Sequence, residues 1–145
     1  MTRPRPLVPR DDPADSVRVV GEFGVIARVL ARAGVARVAE VGPGDDAAVL
    51  HAPDGRVVAT TDVLVEGRHF RRDWSSAEDV GHKAAAANLA DVAAMGGVTT
   101  ALLVGLACPP DTPTTWLEGV AVGLAEECAP LGAAVVGGDT VSAAP

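Results

Sequence analysis

The chain has 145 residues, 48% of them hydrophobic and 21% charged, and its 12 Lys and Arg against 19 Asp and Glu leave a formal charge of −7. That length suits one globular domain with its own core, and such acidity disfavours nucleic acid as a partner unless cations mediate. Two cysteines cannot staple a disulfide scaffold, and 16 Gly and 11 Pro without a short period exclude collagen-like and coiled-coil readings.

Residues 1–20 read as a flexible leader, because Pro4, Pro6, Pro9 and Pro13 oppose helix and the charges discourage burial. No apolar run there resembles a secretory signal, so a cytoplasmic protein is expected. Order is expected from near Gly21. Over 22–33, Phe23, Ile26, Ala27 and Leu30 recur at helical spacing. They predict an amphipathic helix with that stripe in the core and Gly34 as its left-handed stop. Two strand-like runs, 47–52 and 56–61, predict a hairpin across Pro53-Asp54-Gly55.

Ser75 and Glu78 form a capping-box pattern opening an alanine-rich helix to about Met95, where Gly96 can end it. The uncharged stretch between Asp91 and Asp111 approaches the length of a membrane helix. Gly96-Gly97 and Pro109-Pro110 interrupt it, and residues 98–106 favour a strand, so no membrane span is expected. Thr112 as N-cap and Pro113 in the first turn predict a helix to about Cys128, set between strands near 99–107 and 133–137. This order predicts an α/β or α+β domain, a mixed sheet layered with helices. Cys108 and Cys128 read as free thiols, and residues 139–145 read as the opening of another element, as in a fragment.

Four aspartates stand at the ends of predicted elements: Asp46 entering the first strand, Asp62 leaving the second, Asp91 late in the long helix and Asp139 leaving the last strand. Aspartate is common in turns for its own reasons. Here Gly42-Pro43-Gly44-Asp45-Asp46, Thr60-Thr61-Asp62 and Gly137-Gly138-Asp139-Thr140 couple each carboxylate to small residues that admit a ligand to the backbone. Carboxylates gathered in one cleft repel by up to ~4 kcal/mol per close pair at an effective dielectric of about 20. Cations make such a gathering sensible. Oxygen ligands without a His/Cys cluster select Mg²⁺ or Mn²⁺, and such ions invert the local sign for an anionic substrate. A phosphate-transfer site is therefore expected.

No P-loop and no G-x-G-x-x-G fingerprint occurs, which excludes the P-loop and protein-kinase classes. Neither a G-x-S-x-G elbow nor a Cys/His pair at telling spacing is present. Lys83, the chain's only lysine, shares a broad polar sector of the predicted helix with Asn88 and Asp91. Lys83 is either a solvated helix charge or a side chain facing a site, whereas Asn88 among alanines needs partners for a buried amide.

As a set, these residues resemble the thiamine-monophosphate kinase family in order and spacing. The resemblance rests on Gly21-Glu22-Phe23, Gly44-Asp45-Asp46-Ala47-Ala48, the run from Thr61-Asp62 through Glu66-Gly67 to His69-Phe70, the run from Lys83 through Asn88 and Asp91 to Gly96, and Gly137-Gly138-Asp139-Thr140. It covers about residues 21–141, and the T-D-x-L-V-E-G-x-H-F run separates this family from aminoimidazole-ribonucleotide synthetase and its other relatives. The resemblance implies the N-terminal domain of an aminoimidazole-ribonucleotide synthetase-like fold over 21–145, completed by a C-terminal domain beyond this chain. It implies several Mg²⁺ ions held by Asp46, Thr60, Thr61, Asp62, Asp91 and Asp139, with Asp62 and Asp91 as the catalytic pair. Nucleotide contact falls to Gly138 and Asp139, and substrate contact to His69. The implied reaction is ATP-dependent phosphorylation of thiamine monophosphate to thiamine diphosphate in a cytoplasmic homodimer. A related ATP-dependent synthetase and an inactive Mg-nucleotide-binding half domain are the alternatives.

Overall fold

The computed structural model describes residues 13–33, 39–44 and 47–143. A 3-10 turn, Pro13–Asp15, leads into α1 (Val17–Ala33); then follow β1 (Ala39–Val41), β2 (Val49–Leu50), α2 (Ala77–Ala94), β3 (Ala101–Cys108), α3 (Thr114–Cys128), a second 3-10 turn (Ala129–Leu131) and β4 (Ala134–Ser142). The mixed α/β class holds, but the strands form two pairs: β1 with β2 antiparallel and β3 with β4 parallel.

Helix begins earlier than the leader reading expects. The first-turn amides of α1 find acceptors in the loop before α3, with Val17 N donating to the Thr112 carbonyl at 3.0 Å and Arg18 N to that of Pro110 at 2.7 Å. Those bonds satisfy helix-end donors that otherwise lack partners, and Val17 is buried with Val25, Cys108 and Leu117. Gly21, at φ 73°, kinks the helix between this first turn and the expected stretch. The buried stripe is also displaced. Val25 and Ala33 are buried and Val29 packs against both core clusters, while Phe23 is 83% exposed. Helical spacing recurs on both faces of α1, and packing chose the valines. Gly34 lies outside the described residues.

The expected hairpin is corrected. Its turn forms, with Gly55 N donating to the Ala52 carbonyl at 3.0 Å, but β2 pairs with β1, and among the described residues 56–65 belong to no strand and are bonded by side chains of α2 instead. The capping box at the head of α2 lies one residue later than expected. Ser76 accepts from Asp79 N at 3.1 Å and Asp79 accepts from Ser76 N at 3.0 Å. Pro113, without a side-chain bond, stands at the N-cap of α3, one residue beyond Thr112.

The helices α2 and α3 approach each other closely. A methyl at Gly81 would lie 2.1 Å from the Val120 carbonyl oxygen, and one at Gly123 would lie 2.1 Å from that of Glu78. Only glycine lets these backbones approach so closely, and the core that follows is built of small residues: Ala85, Ala121, Leu124, Cys128, Ala133 and Val135. Both cysteines are buried free thiols, and burial pushes their pKa values up. In β4 the pairing shifts from Leu102 opposite Val135 to Leu103 opposite Gly137, so Val136 forms a bulge. Among the described residues no helix is long and apolar enough to cross a membrane.

At the rim of this contact His82 of α2 reaches two carboxylates of α3, Glu127 through Nδ1 at 2.9 Å and Glu126 through Nε2 at 3.0 Å. The bond to Glu127 is the main cause that raises the His82 pKa; desolvation opposes it, and the bond to Glu126 adds to the rise. A raised histidine pKa means that the pair stabilises the fold fully below the unfolded value, about 6.5, and less as pH climbs through the folded value. The melting temperature is accordingly expected to fall as pH rises above neutrality. Glu127→Gln should flatten that slope in scanning calorimetry.

Candidate functional site

Residues 56–65 cross α2 and are held there by side chains of that helix. Thr60 Oγ1 donates to Asp91 Oδ2 at 3.1 Å. One turn earlier, Asn88 Oδ1 accepts from the Asp62 amide at 3.0 Å while its Nδ2 donates to the Ala84 carbonyl at 2.9 Å. The half-buried amide thus has the partners its setting demands. At the far end, the Lys83 ammonium donates to the carbonyl of His69. The polar sector expected on the helix is real, and each of its members grips a different point of the same segment.

Beyond Asp62 the chain turns tightly over 65–70. Arg68 N and His69 N both donate to the Val65 carbonyl, at 3.1 and 2.9 Å, and Gly67 N donates to that of Phe70 at 2.8 Å. Gly67 adopts φ 79°, which only glycine takes without strain. The His69 ring closes the turn, its Nδ1 accepting from Val65 N at 2.9 Å. Sequence reasoning missed Arg72, which pairs with Glu66 at 2.9 Å and places its guanidinium 5.7 Å from the Trp116 ring, tying the turn to α3. Opposite charges bracketing Gly67 are the signal that could have found it. Phe70 stacks on Trp116 at 6.0 Å, whereas Trp74 is 76% exposed beneath Arg71.

Between the extended segment and the end of α2 lies an open groove of about 570 Å³, with Thr60 and Asp91 at a polar end and Val57, Val58 and Met95 along an apolar wall. Thr61 and Asp62 are exposed beside it. An edge of hydroxyl and carboxylate oxygens suits a hard cation that also takes phosphate oxygens.

The expected convergence of four aspartates is only partly visible. Asp62 and Asp91 come to one edge of α2, while Asp46 lies outside the described residues. Asp139 does not leave β4 but sits within it, opposite Gly105, and its carboxylate accepts from Thr140 N at 2.9 Å. Among the described residues no three His, Cys, Asp or Glu side chains stand close enough to hold a metal ion. Gly138 has a structural reason of its own, since a methyl there would lie 2.0 Å from the Val104 carbonyl oxygen across the strand pair.

Comparison with known proteins adds an independent line. A family model described as AIR synthase related protein, N-terminal domain, matches residues 44–145. A thiamine-monophosphate kinase of Mycobacterium tuberculosis is 46% identical over 127 residues, 88% of this chain and 38% of the relative. One from Corynebacterium glutamicum is 44% identical over 135 residues, 92% of this chain and 39% of the relative. A crystal structure of a thiamine-monophosphate kinase from Stenotrophomonas maltophilia superposes with a TM-score of 0.66 at 33% identity, covering 82% of this chain and 36% of that one. The chain thus spans less than two fifths of the length of these relatives.

The Asn88 bonds yield a direct expectation. Asn88→Ala should release the Asp62 amide at a cost of about 0.5–1.5 kcal/mol. Hydrogen exchange at Asp62 should quicken while exchange in β3 and β4 stays unchanged.

Proposed function

The chain belongs to the AIR synthase related N-terminal domain family, whose model covers residues 44–145, and from that membership we propose that it is the N-terminal, nucleotide- and metal-binding part of a cytoplasmic thiamine-monophosphate kinase. The reaction is transfer of the terminal phosphoryl group of ATP to the phosphate of thiamine monophosphate, giving thiamine diphosphate and ADP. The observation that carries this reading is the Thr60–Asp91 hydrogen bond beside the Asn88-anchored Asp62, in a chain 46% identical to an enzyme of that name. The buried free thiols fit a reducing compartment.

Thr60, Thr61, Asp62 and Asp91 are the residues that would hold magnesium, joined by Asp46 and Asp139 from the two other acidic motifs. The fit is one of chemistry: two exposed carboxylates and a hydroxyl offer oxygen donors, and Mg²⁺ typically takes one or two carboxylates and fills its shell with water and substrate phosphate. When bound, the ion supplies neutralisation of crowded phosphate oxygens. The chain's own residues do the rest by placement. The attacking group is a phosphate oxygen, ionised near neutral pH because a phosphate monoester has a second pKa of about 6. No side chain need therefore remove a proton. Catalysis of this kind rests on holding donor and acceptor in line. The α2 grip on residues 60–69 serves that end, with Asp62 and Asp91 on the transferring group, His69 on thiamine monophosphate, and Gly138 with Asp139 on the nucleotide.

Homodimerisation belongs to the same proposal. A parallel strand pair is ordinarily covered on both faces, yet Leu103 of β3 is 71% exposed and Val141 of β4 is 51% exposed. A second copy of this face would cover them.

In the full-length enzyme carrying this sequence, Asp91→Asn is expected to remove ATP-dependent formation of thiamine diphosphate while leaving the melting temperature within a few degrees. Retained turnover at saturating Mg²⁺ would refute the role. Leu103→Asp is expected to convert a dimer to a monomer in sedimentation velocity. A wild-type monomer would overturn the dimer.

A further inference from the structure

Of the three α2 side chains that grip the crossing segment, Lys83 is the one whose bond stability explains least. It is the chain's only lysine among 19 acidic residues, it is exposed, and its ammonium goes to the neutral backbone carbonyl of His69. That carbonyl terminates the tight turn that also constrains the imidazole. Val65 N can only donate, so His69 Nδ1 is an acceptor, and a neutral ring whose Nδ1 accepts carries its proton on Nε2. The backbone amide of His69 is used in the same turn, on the Val65 carbonyl. Carbonyl, amide and Nδ1 are thus all engaged inside the protein, and the exposed ring keeps Nε2–H for a ligand.

We propose that Lys83 is a positioning residue for His69: by holding the His69 carbonyl on α2 it keeps the imidazole in its Nε2–H tautomer and presents that N–H as a donor to a phosphate oxygen of the substrate. The match is one of hydrogen-bond sign. An ionised phosphate offers only acceptors, so a ring locked the other way round would meet it with a lone pair and repel it. The lock also removes His69 from consideration as a base in its neutral form, because the basic nitrogen is turned inward onto Val65. Lysine reaches this carbonyl with a compact donor on a flexible stem. The assignment rests on the reading of His69 as a substrate contact, whereas the tautomer and the part Lys83 plays in it are properties of the free chain.

Long-range proton–nitrogen correlation spectra of the chain, carrying histidine labelled with heavy nitrogen and kept at mildly alkaline pH, read the tautomer directly. His69→Asn identifies the signals. The wild type should show one pattern, with Nδ1 unprotonated and Nε2 protonated. In Lys83→Met the two nitrogen shifts should converge towards the average of exchanging tautomers and the Val65 amide should move, with thermal unfolding unchanged; Lys83→Arg should restore the wild-type pattern. In the full-length enzyme, Lys83→Met should raise KM for thiamine monophosphate by about tenfold, the size of one hydrogen bond, and leave kcat in place. A wild-type ring protonated on Nδ1, or a Lys83→Met chain with an unaltered pattern, overturns the proposal. Because the spectra involve no nucleotide, an inactive enzyme with an intact pattern counts against the kinase reading and not against the role of Lys83.

Discussion

The close approach of α2 to α3 is the constraint on which the rest of this structure depends. Gly81 and Gly123 let two helical backbones come within reach of each other's carbonyl oxygens, where any side chain would clash. One face of α2 is thereby committed to α3. The rest of its circumference is free to carry polar groups, and from there Lys83, Asn88 and Asp91 bind a segment that pairs with no strand among the described residues. Residues 60–69 owe their shape to a helix, not to a sheet. That explains how a run reading as strand can be held in place without a place in either strand pair.

The electrostatics follow the same division. Among the described residues five arginines form ion pairs, and those of Arg28 and Arg32 fasten elements together. Arg28 bonds Asp15 and, at 2.7 Å, the Thr114 hydroxyl. Bonds from Thr114 first and Arg28 next hold the Asp15 carboxyl below the usual carboxylate range. Arg32 pairs with Glu118 and Arg72 with Glu66, at 3.1 and 2.9 Å. Exposed pairs of this kind contribute little each; those of Arg28 and Arg32 fix α1 against α3, while Arg72 and Phe70 tie the 65–70 turn to Trp116 of α3. Asp62 and Asp91 stand outside these ion pairs. Asp91 accepts from a neutral hydroxyl and Asp62 is held through its backbone N–H, which leaves both carboxylate charges for a cation.

How much of this was legible depended on the range of the forces involved. The α2 cap, its glycine end and the 53–55 turn are local chemistry, and the sequence signals them to within a residue. The polar sector of α2 was legible from periodicity, because helical geometry alone brings Lys83, Asn88 and Asp91 together. What each one holds was not, since the partner lies on a segment 14 to 31 residues away. On α1 the apolar residues recur on two faces, and only packing against α3 distinguishes Val25 and Val29 from Phe23. Two adjacent apolar runs suggest mutual pairing across the 53–55 turn, whereas β2 pairs with β1. Asp139 reads as leaving a strand of 133–137, but the strand does not end there. The Val136 bulge and the glycine-tolerant approach to Val104 carry the strand onward to Ser142.

The single helix that links core and site has a consequence for how such a chain can vary. Because α2 presents glycine to α3 and its gripping side chains elsewhere on the same cylinder, adding or deleting one residue between Gly81 and Asp91 would turn one set about 100° relative to the other. No compensating repacking could satisfy both. Length changes are tolerable only where the chain is outside this gear, in the turns before Ser76 and after Cys108, so the spacing from Gly81 to Asp91 is as much a part of the architecture as the residues themselves.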